Sequence, residues 1–204
     1  DIPVIPVEHQ FIVTEEIPEL VERAKQGLPE MAVLRESDQS YYMREERQGL
    51  ILGPYEKGAP CCWEGNGVPE GFGQELLPPD IDRLAPHIEA AINRVPIFGE
   101  AGVKDCVNGP ISYTPDGNPL VGPAPGLKNF FLAEGFSFGI TSAGGAGRHL
   151  AEWIMEGEPS IDMLPVDPRR FGAYANKPYT MAKNEECYEH VFVIHYPFEE
   201  RPAA

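Results

Sequence analysis

Residues 135–154, GFSFGITSAGGAGRHLAEWI, join a run of glycines to an apolar tail with helical spacing, and they follow the aromatic-apolar segment NFFLAEG. A glycine inside a helix costs about 1 kcal/mol against alanine. Gly144, Gly145 and Gly147 crowd into one turn at that cost, so they mark a helix whose backbone something approaches closely. The order is strand, Gly-rich turn, helix. Two readings stay open on the glycines alone. One is a ligand against the helix start, whose free N–H groups favour negative charge by about 0.3–1 kcal/mol. The other is tight packing of helix on sheet with no ligand.

The rest of the chain supplies mostly short strands. IPVIPVEHQFIVTEEI is extended, and a period of two puts His9, Phe11 and Val13 on one face and Gln10, Ile12 and Thr14 on the other. A short helix follows, with Pro18 in its first turn and Gly27 at its end. AVLRESDQSYYMREERQGLILGPYE then reads as an antiparallel meander of strands. Residues 53–80, rich in Gly, Pro and Glu, form a long surface loop carrying Trp63, which either covers an entrance or plugs a surface groove. A helix is expected over PPDIDRLAPHIEAAINRV. Its apolar positions are Ile81, Leu84, Ala85, Ile88, Ala91, Ile92 and Val95, and Pro86 bends or interrupts it. Short β segments return from 103 to 134. The predicted fold class is α+β: a mainly antiparallel sheet faced by helices, plus the strand–turn–helix unit.

Composition excludes several roles. Sixteen Lys and Arg against 32 Asp and Glu give a net charge of −16, the wrong sign for nucleic acid or an anionic membrane. No apolar run reaches the ~18 residues of a membrane span. Cys61, Cys62, Cys106 and Cys187 form no C-x-x-C pair, so reduced thiols in a cytoplasm-like compartment are expected. His149, His190 and His195 show no ligand spacing, and no metal site is predicted. Opening at Asp1 within an extended segment, the chain is expected to be an excerpt of a longer protein.

Several separated stretches together resemble the FAD-dependent amine oxidoreductases of the dimethylglycine and sarcosine dehydrogenase group. They are EHQFIVTE at 8–15, SYYMREERQGLILGPYE at 40–56, the run from NGPISYTPDGNPLVGPAPG to VDPRRF at 108–171, and VIHYPFEER at 193–201. The resemblance implies a partition into a substrate-binding sheet domain (1–125), a flavin-contacting strand–helix segment (126–172), and a linker (173–204). That linker leads toward a folate-binding, aminomethyltransferase-like domain. No G-x-G-x-x-G occurs, so the unit holding the ADP half of FAD is expected upstream.

The implied activity is oxidative demethylation of a small N-methyl amino acid through an iminium, with oxygen or an electron-transfer flavoprotein as acceptor and tetrahydrofolate possible in the parent. Two alternatives are a non-catalytic relative like the pyruvate dehydrogenase phosphatase regulatory subunit, and a binding module without flavin. By the same resemblance His9 and Tyr41 line the substrate side of the flavin, with Tyr42 as packing. Gly135, Ser137, Phe138, Gly139, Ile140 and Thr141 contact the cofactor. Arg35 and Arg44 are candidates to grip a substrate carboxylate, because a guanidinium binds one bidentately; surface ion pairing is the other reading of each.

Overall fold

A computed structural model describes residues 2–65, 67–194 and 197. Apart from Pro197, the segment from 195 onward, expected to lead toward a further domain, lies outside the described residues. The chain groups into two compact units, one formed by 1–7 and 111–187, the other by 8–110 and 188–203.

In the second unit, a ten-residue strand β1 (Ile5–Thr14), which begins in the first unit, is followed by helix α1 (Pro18–Lys25). Pro18 occupies the start of α1, where its missing N–H costs nothing, and Gly27 just beyond the end has φ of +68°. The meander follows as β2 (Leu34–Glu36), β3 (Tyr41–Glu46) and β4 (Gly49–Pro54). β2 pairs antiparallel with β3, β3 with β4, and β4 with β1. With β5 (Val103–Tyr113) the sheet runs β2-β3-β4-β1-β5.

Helix α2 (Ile81–Arg94) starts at Asp80, whose side chain accepts the Arg83 N–H at 3.1 Å. Contrary to the expected interruption, α2 runs unbroken through Pro86, which lies only in its second turn. Its buried stripe is also narrower than the apolar pattern suggested. Leu84 and Ala91 are buried and Ile88 packs beside them, whereas Ile81 and Ile92 are exposed. One core gathers Ile12, Ile17, Leu20, Tyr41, Met43, Leu50, Leu52, Leu84, Ala91 and Phe98, drawn from α1, α2 and one face of the sheet. Between β4 and α2 the chain forms turns, with Trp63 set edge-on against Phe72 at 4.9 Å.

The first unit holds a two-stranded antiparallel sheet of β6 (Leu120–Pro123) and β7 (Phe131–Glu134), then α3 (Gly139–Glu156) and most of α4 (Lys177–Glu189). Arg170 clasps Asp116 through two hydrogen bonds, at 2.7 and 2.9 Å, and tightens the PDGNP turn before β6. Asn184 of α4 donates to the carbonyls of Ile5 and Tyr113. No disulfide joins the four cysteines among the described residues, and burial pushes the Cys62 thiol up to about 12. No helix of the described residues is long and apolar enough to cross a membrane.

Candidate active site

Strand register decides which side chains share a face. Tyr42 pairs with Gly53 and with Arg35, Arg44 pairs with Ile51, and Ile51 pairs with Val13. Directly opposed residues of an antiparallel pair point the same way. Arg35, Tyr42, Arg44, Ile51, Gly53, Val13, Phe11 and His9 therefore lie on one face. Tyr41, Met43, Leu52, Gln10 and Ile12 lie on the other, against α1 and α2.

This placement corrects the expectation that Tyr41 faces a pocket with His9. Tyr41 is fully buried in the core beside Leu52 and Met43, and its hydroxyl has no hydrogen-bond partner among the described residues. Tyr42, expected to be packing, shares the face of His9. The alternation of the pair was legible, but its polarity was reversed. Apolar Met43 two residues on from Tyr41, set against charged Arg44 and Glu46 on the Tyr42 side, was the signal that Tyr41 belongs inward.

Around His9 the face is aromatic. The His9 ring lies 4.9 Å from that of Tyr55 and 5.8 Å from that of Tyr188, while Phe192 meets Tyr55 at 4.8 Å and Tyr42 at 6.3 Å. Gly53 makes room for this arrangement, since a Cβ there would overlap the Tyr42 ring. His9 Nδ1 lies 2.9 Å from the hydroxyl of Tyr188. Burial holds His9 below the ordinary histidine value, with the Glu56 carboxylate pulling the other way. Burial also raises the Tyr42 phenol, and with Tyr42 beside it Tyr55 is pushed up to about 12. The groups around His9 itself, Tyr42 and Tyr55, thus stay neutral at physiological pH.

The two arginines differ. Arg44 is committed to Glu46 at 2.6 Å and to the Glu45 carbonyl. Arg35 is exposed, stacks its guanidinium 4.0 Å over Phe192, and makes no ion pair among the described residues. Of the two, Arg35 is the one whose fork has no carboxylate on it.

The glycine segment belongs to the first unit. Gly135 has φ of +73°, and a Cβ there would come within 2.7 Å of Thr114. Phe138 stands at the N-cap of α3 without a side-chain hydrogen bond, and no acidic residue occupies the first turn. Gly139 opens the helix with nothing closer than 3.7 Å to an added Cβ, and Ile140 projects fully. The N–H groups that begin a helix have no intrahelical acceptor. Here they meet neither a capping side chain nor a competing carboxylate, a donor set suited to the electron-rich edge of a flavin.

Tight packing of Gly144, Gly145 and Gly147 on a neighbouring sheet, the other reading of these glycines, is not found. A Cβ at any of them would meet nothing within 4 Å, and α3 has no buried residue.

The chain belongs to the FAD-dependent oxidoreductase family: the family described as FAD dependent oxidoreductase matches residues 1–153, and the FAD dependent oxidoreductase central domain matches residues 156–204. The sequence is 46% identical to the mitochondrial dimethylglycine dehydrogenase of Rattus norvegicus, across 98% of this chain and 24% of that protein. It is 37% identical to the mitochondrial sarcosine dehydrogenase of Mus musculus, across 98% of this chain and 21% of that protein. Among solved structures, the L-proline dehydrogenase of P. horikoshii shares the fold, with a TM-score of 0.61 at 24% identity over 84% of this chain and 41% of that one. The chain spans about a quarter of the length of the curated relatives it matches.

Proposed function

We propose that the chain carries the substrate-binding sheet and the flavin-contacting strand–helix segment of an FAD-dependent enzyme that demethylates a small N-methyl amino acid of the dimethylglycine or sarcosine type. The observation that carries this reading is the aromatic sheet face, where a neutral histidine, a tyrosine hydroxyl and an unpaired arginine lie together. Such a face suits a small amino acid whose nitrogen must lose its proton before oxidation. The likeness to dimethylglycine and sarcosine dehydrogenases supports the substrate class.

Bound FAD would supply the two-electron acceptor that oxidation of an N-methyl carbon to an iminium requires. Gly135, Ser137, Phe138, Gly139, Ile140 and Thr141 would hold it, the first-turn N–H groups of α3 favouring the charge that reduction brings. His9, held neutral by burial, accepts the substrate's ammonium proton. Tyr42 takes the place first assigned to Tyr41 and orients the amine through its hydroxyl. Arg35 grips the carboxylate, and the rings of Tyr55 and Phe192 keep water away from the reacting carbon. Oxygen or an electron-transfer flavoprotein would take the electrons. Tetrahydrofolate, bound outside this chain, would take the one-carbon unit, and the matrix location would follow that of the mitochondrial relatives.

The test is anaerobic mixing of the full-length flavoprotein with dimethylglycine, sarcosine and a panel of N-methyl amines while flavin absorbance is followed. Rapid bleaching by an N-methyl amino acid, slowed about 10²-fold or more by His9→Asn, is expected. A protein that binds flavin but is bleached by none of them is not this enzyme.

A further inference from the structure

We infer that Tyr188 and Glu56 are positioning residues that fix which nitrogen of His9 carries the proton, holding it on Nδ1 and leaving Nε2 as the proton acceptor; this rests on the reading of His9 as a substrate-site residue. Tyr188 is fully buried at the end of α4. Its hydroxyl lies 2.8 Å from Glu56 Oε2, 2.9 Å from His9 Nδ1 and 3.5 Å from the Pro54 carbonyl. A phenol has one proton to give.

Glu56 is the stronger claimant for that proton. It is only 1% exposed, and the partners of its other oxygen are donors: Gln10 Nε2 at 3.0 Å and Arg83 Nε at 3.1 Å. Arg83 is shared with Glu8 at 2.9 Å, and Asn108 donates to Glu8 in turn at 3.1 Å. Hydrogen bonds to an ionised acceptor are roughly twice as strong as neutral ones. Tyr188 therefore donates to Glu56 and turns a lone pair toward His9. A 2.9 Å contact between that lone pair and Nδ1 requires a proton on Nδ1, so the lone pair of His9 sits on Nε2.

When Nε2 takes a proton, the added positive charge is felt along the line His9–Tyr188–Glu56 without any further proton moving. The titratable groups that face His9 are Tyr55 from the end of β4, Tyr188 from α4, and Glu56, with Arg83 of α2 and Glu8 of β1 behind Glu56. Burial favours the neutral ring and Glu56 favours the charged one. Burial is the larger of the two, and Glu56 works against it.

The test is nitrogen NMR of the full-length holoprotein labelled with ring-¹⁵N histidine, the His9 signals being assigned by their loss in His9→Asn. Above pH 7 the wild-type protein is expected to show Nδ1 protonated and Nε2 bare. Tyr188→Phe removes the acceptor, so Nε2–H should appear. kcat/KM for the amine should fall about tenfold, part of the ~10²–10⁴ that a positioned base contributes, with the flavin spectrum unchanged. Glu56→Gln should move the acid limb of the kcat/KM profile to lower pH, because the anion that favours protonated His9 is gone. A wild-type proton on Nε2 overturns the inference whether or not either variant folds, and so does an unchanged tautomer in Tyr188→Phe. If His9→Asn is bleached as fast as wild type while the tautomer behaves as expected, the positioning stands and the substrate-site reading falls. A slow His9→Asn with an indifferent Tyr188→Phe gives the reverse.

Discussion

Adjacent tyrosines in β3 do opposite work. Tyr41 buries its ring in the core and leaves a hydroxyl without a partner among the described residues, a group that costs about 1–3 kcal/mol when buried. Tyr41→Phe is therefore expected to raise the melting temperature of the flavoprotein slightly and leave amine-dependent bleaching at the wild-type rate. Tyr42→Phe should do the reverse, slowing bleaching with little change in melting, because its hydroxyl belongs to the His9 face. Equal effects of the two substitutions on bleaching would mean that the sheet register places neither tyrosine as described. Gly53 is tied to the same distinction: the space its missing Cβ leaves is taken by the Tyr42 ring.

Two elements carry local signals that their sequences only partly announce. The hairpin between β3 and β4 turns on Arg47 and Gln48, with φ of +48° and +69°, where a type I′ turn prefers Asn-Gly. A non-glycine residue in this region costs roughly 1–2 kcal/mol, so Gln48→Gly should stabilise the hairpin by about 1 kcal/mol, seen as slower hydrogen exchange at the Gly49 amide, which faces Glu46 across the turn. The last turns of α3 are tied down by Glu152. It accepts from Ser160 Oγ at 2.5 Å, lies 2.9 Å from His149 Nδ1, and accepts from Arg148 Nε at 3.1 Å. These contacts, Ser160 foremost, hold its carboxyl down to about 2. A depressed carboxylate stabilises the fold above the unfolded value and loses that contribution as pH falls from about 4.5 toward 2. In Ser160→Ala the carbon NMR titration of the Glu152 carboxyl should move up toward the ordinary range; an unmoved midpoint would show that the serine contributes nothing.

At the scale of the molecule, α3 runs 18 residues without one buried residue. Ile140, Ile154 and Met155 are exposed along it, together with the open glycine positions. Apolar surface of this kind is ordinarily covered. The 204-residue chain alone is expected to be colourless after purification, because the flavin contacts proposed at the helix start are few and the chain has no dinucleotide-binding glycine fingerprint. A stoichiometric flavin band in the isolated chain would show that these contacts suffice. In the full-length flavoprotein Gly139→Val should lower flavin content, since the approach to the first-turn N–H groups is open only while that position lacks a branched side chain.

Local pattern by itself determined a good deal here. The period of two in β1, the proline and glycine that bracket α1, and the glycine turn before α3 are written within a few residues of the structures they produce, because backbone sterics and burial alternation act over that range. The roles given to His9 and to residues 135–141, by contrast, came from the family resemblance. Which tyrosine faces outward depended on which side of β3 the core assembled, and α1 and α2 decide that from a distance in sequence. Tyr188 reaches His9 across 179 positions. No local pattern encodes such a contact, since a lone tyrosine near a chain end has no periodic partner. The pairing of Glu56 with Arg83 and Gln10 is equally invisible until the strands and α2 close around it. Burial then turns ordinary acids, phenols and imidazoles into a directed hydrogen-bond chain, because a low-dielectric interior leaves each proton only one favourable place to sit.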